Sequence, residues 1–195
     1  MSKYKIIAIC GKSASGKDTL LHEIIKHNKE VHEIISCTTR PPREGEVHGV
    51  NYFFLTEDEF HWKKDDGEML ETTEFRNWYY GTSIDGLAAD KINVGVFNPA
   101  GIYNLMNDKR VDLFVVQVTA SDKKRLLRSL QREEFPDVNE IVRRYSTDKE
   151  DFEKFSRIYE PDYIVNNESC DECYFEYVSK GIILNAERFW AKQAN

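Results

Sequence analysis

The sequence predicts an α/β domain in which a parallel sheet carries helices on both faces, and three observations predict it. Short apolar runs without polar alternation, the first being Lys5–Cys10, are the mark of strands buried on both faces. Between such runs, apolar residues recur at helical spacing, as Leu20, Leu21, Ile24 and Ile25 do. A Gly/Ser-rich turn, Gly11–Lys17, joins the first strand to the first helix.

Further buried strands are expected over Val31–Ser36, Asn93–Phe97, Leu113–Val118 and Tyr163–Val165. Helices are expected over Ser121–Gln131 and from about Asp137 to Phe155. Between Cys37 and about Ser83 this rhythm breaks. Pro41-Pro42, Gly45 and Gly49 interrupt the chain, Tyr52–Leu55 and Met69–Phe75 read as short strands, and Thr56-x-x-Glu59 has the form of a capping box that starts a short helix at Phe60. This stretch reads as a small mixed α/β insertion in the parallel core.

Composition narrows the function classes. With 41% hydrophobic and 31% charged residues in 195, the chain has the makings of one soluble domain with a proper core. Its net charge of −7 argues against a general nucleic-acid or anionic-membrane partner, while leaving room for a small anionic substrate held by local arginines. No run of 18 apolar residues and no leader-like opening occur, so no membrane partner is expected and the expected compartment is the cytoplasm. Cys10 and Cys37 read as buried thiols. Cys170-x-x-Cys173 has half the spacing of a zinc site but no second pair, so no metal or redox role is assigned to it.

Gly11-Lys12-Ser13-Ala14-Ser15-Gly16-Lys17 lies between a strand and a helix, the context that a phosphate-binding P-loop requires. Its glycines let successive N–H groups curl toward phosphate oxygens, and the helix N-terminus adds partial positive charge. Lys17 then reaches the β- and γ-phosphates of a nucleoside triphosphate such as ATP. The hydroxyl residue that usually follows the lysine and touches Mg²⁺ is replaced by Asp18, with Thr19 next. Two readings of Asp18 stand: an acid that suits the helix dipole, or a carboxylate that holds Mg²⁺ through water. Thr19 supplies a nearby hydroxyl for the same metal.

Arg40 and Arg43 flank a stiff Pro41-Pro42 turn, where two guanidinium forks can clamp one phosphate, with Tyr52 and Tyr80 hydroxyls to complete the cage. The run Ser36–Phe54, followed by Glu71 and Trp78-Tyr79-Tyr80-Gly81-Thr82-Ser83, resembles the acceptor segment of guanylate kinases. With the P-loop and Asp162–Asn166, the resemblance spans most of the chain. It implies a P-loop parallel core at residues 1–35, 84–120 and 156–195, a nucleotide-monophosphate-binding insertion at 36–83 and a helical lid at 121–155. It also implies that Glu71 reads the guanine N1–H and 2-amino group, with Ser36 and Thr82 as secondary contacts, Glu46 in the same pocket and Asn166 at the donor nucleotide. Adenine presents a bare acceptor at N1 and would be repelled by the same carboxylate.

The resemblance places lid arginines at Arg132 and Arg144, with Arg143 as a substitute for the latter; the family's Arg-Gly pair after the lid helix is absent. A second departure lies after the third core strand, where the family carries two acids and this chain has Val96-Phe97-Asn98-Pro99. Asn98 keeps hydrogen-bonding capacity near the acceptor but brings no charge. The implied activity is Mg²⁺-dependent transfer of the ATP γ-phosphoryl group to GMP or dGMP. Two alternatives stay open: another acceptor such as dTMP, and a binding module without turnover, against which the intact loop speaks.

Overall fold

A computed structural model describes residues 3–75, 77–132, 134–168 and 172–193. Five parallel strands form the central sheet: β1 (Tyr4–Cys10), β2 (Val31–Glu33), β7 (Ile92–Val96), β8 (Val111–Thr119) and β9 (Tyr163–Asn166), in the order β2-β7-β1-β8-β9. A four-stranded sheet from the expected insertion holds β3 (Cys37–Thr38), β4 (Phe53–Phe54), β5 (Met69–Phe75) and β6 (Trp78–Ser83), in the order β4-β3-β6-β5. The helices are α1 (Lys17–His27), α2 (Glu57–Asp65), α3 (Pro99–Asn107), α4 (Asp122–Gln131), α5 (Val138–Ile158) and α6 (Glu172–Gln193).

Alternation along β1 sends its residues to two apolar layers. Ile7 and Ile9 join Leu20 and Ile24 of α1 and Phe175, Val178 and Ile182 of α6. Ile6, Ala8 and Cys10 join Ile102 and Leu105 of α3 and Phe152 and Phe155 of α5. The sheet is thus covered on both faces, as a parallel sheet of apolar runs requires. β1 is the middle strand, so its C-terminal end and the phosphate loop that follows lie in the crevice where nucleotides bind in such sheets.

The second strand stops earlier than its apolar run suggests. Ile34 N–H still donates to Val94 C=O at 2.8 Å, but Ser36 C=O already accepts from Phe53 N–H at 2.9 Å, so the chain has crossed to the second sheet. The capping box of α2 is present in both directions: Glu59 N–H donates to Thr56 Oγ1 at 3.2 Å, and Thr56 N–H donates to Glu59 Oε2 at 2.8 Å. Helix α3 begins at Pro99, with Asn98 as N-cap accepting from Gly101 N–H at 2.7 Å. That cap-then-proline pattern is a helix-start signal within the segment that lacks the family's acids. Cys10 and Cys37 are buried free thiols, whereas Cys170 lies outside the described residues. No helix among the described residues is long and apolar enough to cross a membrane.

The β8–β9 ladder is prolonged by a side chain. Asp162, just before β9, accepts from Val115 N–H and from the Tyr159 hydroxyl, both at 2.7 Å. Asp162→Ala strands both donors and is expected to lower stability by about 1–3 kcal/mol. Urea unfolding measures it, and the change in midpoint should come without a change in slope.

Candidate active site

Five consecutive carbonyls of the phosphate loop, Lys12 to Gly16, are held by hydrogen bonds, three of them from α4 and Asn167. Lys12 C=O accepts from Ser15 N–H at 3.1 Å and from Lys17 Nζ at 3.4 Å. Ser13 C=O accepts from Arg125 Nε at 2.9 Å, Ala14 C=O from Arg128 Nη1 at 3.4 Å, and Ser15 C=O from Asn167 Nδ2 at 2.7 Å. Gly16 C=O accepts from Leu20 N–H at 3.0 Å and starts α1. A loop whose carbonyls are bound on the outside presents N–H groups to its concave side, as an anion cradle must. Gly16 is demanded twice over: its φ is 99°, and a Cβ there would lie 2.2 Å from Asn167 Nδ2.

Lys17 opens α1, and burial pushes its ammonium below the usual lysine value, while Asp18 and Asp148 pull the other way. Asp18 and Thr19 are exposed on the first helical turn. Asp18 there complements the helix dipole, and its charge is felt at Tyr52 of the acceptor side.

Asn166, expected at the donor nucleotide, and its neighbour Asn167 lie at and just past the end of β9. Asn166 is exposed, whereas Asn167 is 1% exposed and its amide meets the loop. Strand alternation explains it: Val165 and Asn167 point inward, and Ile164 and Asn166 point outward.

On the acceptor side, Arg40 Nη2 makes a two-pronged pair with Glu46 at 2.8 and 2.9 Å, and Nη1 donates to Pro41 C=O at 2.8 Å. Arg40 also lies over the Tyr52 ring, 5.6 Å from its centre. Glu46 therefore serves as the counter-ion of Arg40, and it also accepts from Arg43 N–H at 2.7 Å. The Arg43 residue itself is exposed.

A cavity of about 280 Å³ beside this pair is lined by Ser36, Tyr52, Glu71, Thr73, Tyr80, Gly81 and Val96–Asn98. Glu71 is 9% exposed and accepts from Thr82 Oγ1 at 2.9 Å across the β5–β6 ladder. A register shift between Met69 and Glu71 locally re-aims β5, as bulges do. Burial raises the Glu71 pKa to about 7, with the Thr82 hydroxyl opposing the rise. The first turn of α3 abuts the carboxylate, since a Cβ on Gly101 would lie 3.2 Å from Glu71 Oε2.

A second cavity of about 220 Å³ connects the two halves, lined by Gly11, Ser13, Lys17, Val96–Pro99, Asp148 and Asp151. It shares Val96, Phe97 and Asn98 with the acceptor cavity. Asn98 Oδ1, expected near the acceptor, is taken up by the start of α3.

The expected lid arginines lie away from the loop carbonyls. Arg132 is exposed just past α4 and shares a cleft with Arg144, Ser13 and Ala14. Arg143 Nε and Arg144 Nε pair with Glu140 at 2.7 and 2.9 Å. The residues that grip the loop are Arg125 and Arg128, which the sequence reading passed over. A signal was present: 125, 128 and 132 form one helical stripe of arginines in an otherwise mixed-charge helix.

Comparison with known proteins gives one family. A guanylate kinase family model matches residues 3–180. The guanylate kinase of Sulfurimonas denitrificans is 34% identical over 175 residues, 86% of this chain and 82% of that protein. That of Wolbachia pipientis wMel is 29% identical over 193 residues, 94% and 90% of the two chains. That of Shouchella clausii is 42% identical over 90 residues, 46% of this chain and 43% of that protein. The crystal structure of guanylate kinase from Anaplasma phagocytophilum shares the fold, with a TM-score of 0.60 at 20% identity over 96% of this chain and 87% of that one.

Asn167→Ala leaves the buried Ser15 C=O without its donor and is expected to cost about 1–3 kcal/mol of stability and to weaken triphosphate binding. Asn166→Ala should stay within about 0.5 kcal/mol of the parent. Chemical unfolding and ATP titration of both variants check the assignment, and equal effects would refute it.

Proposed function

The chain belongs to the guanylate kinase family, and we propose that it transfers the γ-phosphoryl group of ATP to GMP or dGMP. The observation that carries this reading is the shared wall at Val96–Asn98, which joins the chamber of Lys17 to the cavity of Glu71. Phosphates held in the two adjoining cavities would then meet beside these shared residues.

On this reading the acceptor guanine donates N1–H and its 2-amino group to Glu71, with Thr82 and Ser36 beside them. Arg40 and Arg43 hold the acceptor phosphate together with the Tyr52 and Tyr80 hydroxyls. Arg40 is already fixed by Glu46, so little rotamer freedom is lost when the phosphate arrives. The acceptor phosphate is ionised at neutral pH and needs no base. Its oxygen attacks the γ-phosphorus, the bond from that phosphorus to the β-bridging oxygen breaks, and ADP leaves. Lys17 stabilises the charge that develops on the transferring group. Arg132 and Arg144, with Arg143 as a substitute for the latter, approach it when residues 121–155 and 36–83 close over the core as lid and acceptor domains and exclude water.

Asp18 and Thr19, exposed on the first turn of α1, are the oxygen donors that would suit a hydrated Mg²⁺, whose charge would offset that of the triphosphate oxygens when bound. The compartment we infer is the cytoplasm.

The direct test is ADP release with GMP, dGMP, dTMP and AMP as acceptors. GMP and dGMP should lead, and Lys17→Ala should lower turnover at least about a thousandfold. GMP binding without ADP formation at any Mg²⁺ concentration would overturn the enzyme reading.

The Glu71 carboxyl gives a second test. Guanine requires its ionised form, so affinity should rise with pH through about 7 and level off above, with a slope of about tenfold per unit below. Guanosine should show the same slope, which separates Glu71 from titration of the acceptor phosphate. Glu71→Gln should bind GMP weakly and without the slope. Because the folded pKa lies above the usual 4.5, the group's contribution to the ligand-free fold is full below about 4.5 and is lost as pH rises through about 7.

A further inference from the structure

We propose that Asp148 is an internal ligand of the phosphate loop, which holds the place of a donor phosphate oxygen until a nucleoside triphosphate displaces it. The inference rests on reading the loop as the donor site. Asp148 Oδ2 accepts from Ser13 N–H at 2.6 Å and from Arg125 Nη2 at 2.8 Å. The first contact takes an N–H of the cradle itself. It is a charge-assisted bond of the kind that a phosphate oxygen would make there.

The surroundings hold the carboxylate in this place. Arg125 is 3% exposed, binds Ser13 C=O through Nε, reaches Asp122 Oδ1 through Nη1 at 2.9 Å, and lies over the Tyr145 ring. Tyr145 in turn donates to Asp122 Oδ2 at 2.6 Å. The guanidinium is therefore anchored to the loop, and Asp148 is the acid that it presents to Ser13. A single N–H cannot serve both a carboxylate and a phosphate oxygen, and two anions in contact repel each other. A triphosphate prevails because it brings more charge and engages several N–H groups at once.

Displacement also has a mechanical side. Asp148 belongs to α5, and Arg144 lies one turn earlier on the same helix face. While Asp148 sits on Ser13, this stretch of α5 is docked on the loop and Arg144 is paired with Glu140. Expelling the carboxylate releases that stretch, so donor binding and repositioning of the lid arginines become one event. A ligand that never reaches the Ser13 N–H, such as adenosine, pays no such penalty.

The experiment is calorimetric titration of ATP and adenosine, with and without Mg²⁺, into the wild type, Asp148→Asn, Asp148→Ala and Asp151→Asn. Asp151 lines the same chamber and controls for the mere loss of a negative charge. Both Asp148 variants should bind ATP about tenfold more tightly or better, the worth of a hydrogen bond to a charged group, with adenosine unchanged. Asp151→Asn should change ATP affinity much less. Between the ligand-free wild type and Asp148→Asn, the Ser13 amide proton should shift in NMR spectra. Equal or weaker ATP binding by the Asp148 variants, or equal tightening by Asp151→Asn, would overturn the inference while leaving the donor site intact. Failure of every protein, wild type included, to bind ATP would overturn the donor reading and the inference with it.

Discussion

A backbone can aim its N–H groups inward only if its carbonyls are satisfied outward, and in this protein five consecutive carbonyls, Lys12 to Gly16, are satisfied in turn. The donors come from three places: the loop and the helix it opens, the arginines of α4, and Asn167 after β9. Buried carbonyls without partners cost free energy, so the cradle is only as well formed as the elements that supply those donors. The parallel sheet brings them together, since β1, β8 and β9 are neighbours and their C-terminal ends meet at one edge. Donor-site geometry and sheet topology are thus one constraint.

The acceptor side solves a different problem, that of keeping a carboxylate buried yet usable. Glu71 has little solvent, one hydroxyl partner and the start of α3 close by. It is held between its two protonation states near neutral pH, so a partner with two N–H donors gains much by completing its solvation. Arg40 shows the opposite strategy. Its charge is already balanced by Glu46, and its guanidinium lies over the Tyr52 and Phe54 rings. One group is left wanting a ligand, whereas the other is preorganised for one.

Much of this was legible in the sequence because the information was local. The Gly11–Lys17 turn, the Thr56–Glu59 capping box and the apolar strand runs each carry their physics within a few residues. What escaped depended on phase or on partners far along the chain. Asn166 and Asn167 differ only by which side of a strand end they face, and no local pattern marks the phase at the final residue of a short run. Arg125 and Arg128 looked like other charges on a polar helix until the loop carbonyls appeared beside them. Asn98-Pro99 was weighed as the loss of two acids, although its own message was the start of a helix.

The spacing of these partners in the chain has a consequence for biosynthesis. Asn167 lies 152 residues after Ser15, and Arg125 lies 112 after Ser13. The loop residues leave the ribosome well before the groups that shape them. At cellular elongation speeds the gap is roughly ten to thirty seconds. Throughout it the nascent chain contains the entire Gly-x-x-x-x-Gly-Lys motif and still cannot form its nucleotide cradle. The apolar run of β1 pairs with β7 and β8, which are made later, so until they emerge it stays uncovered and open to misassociation.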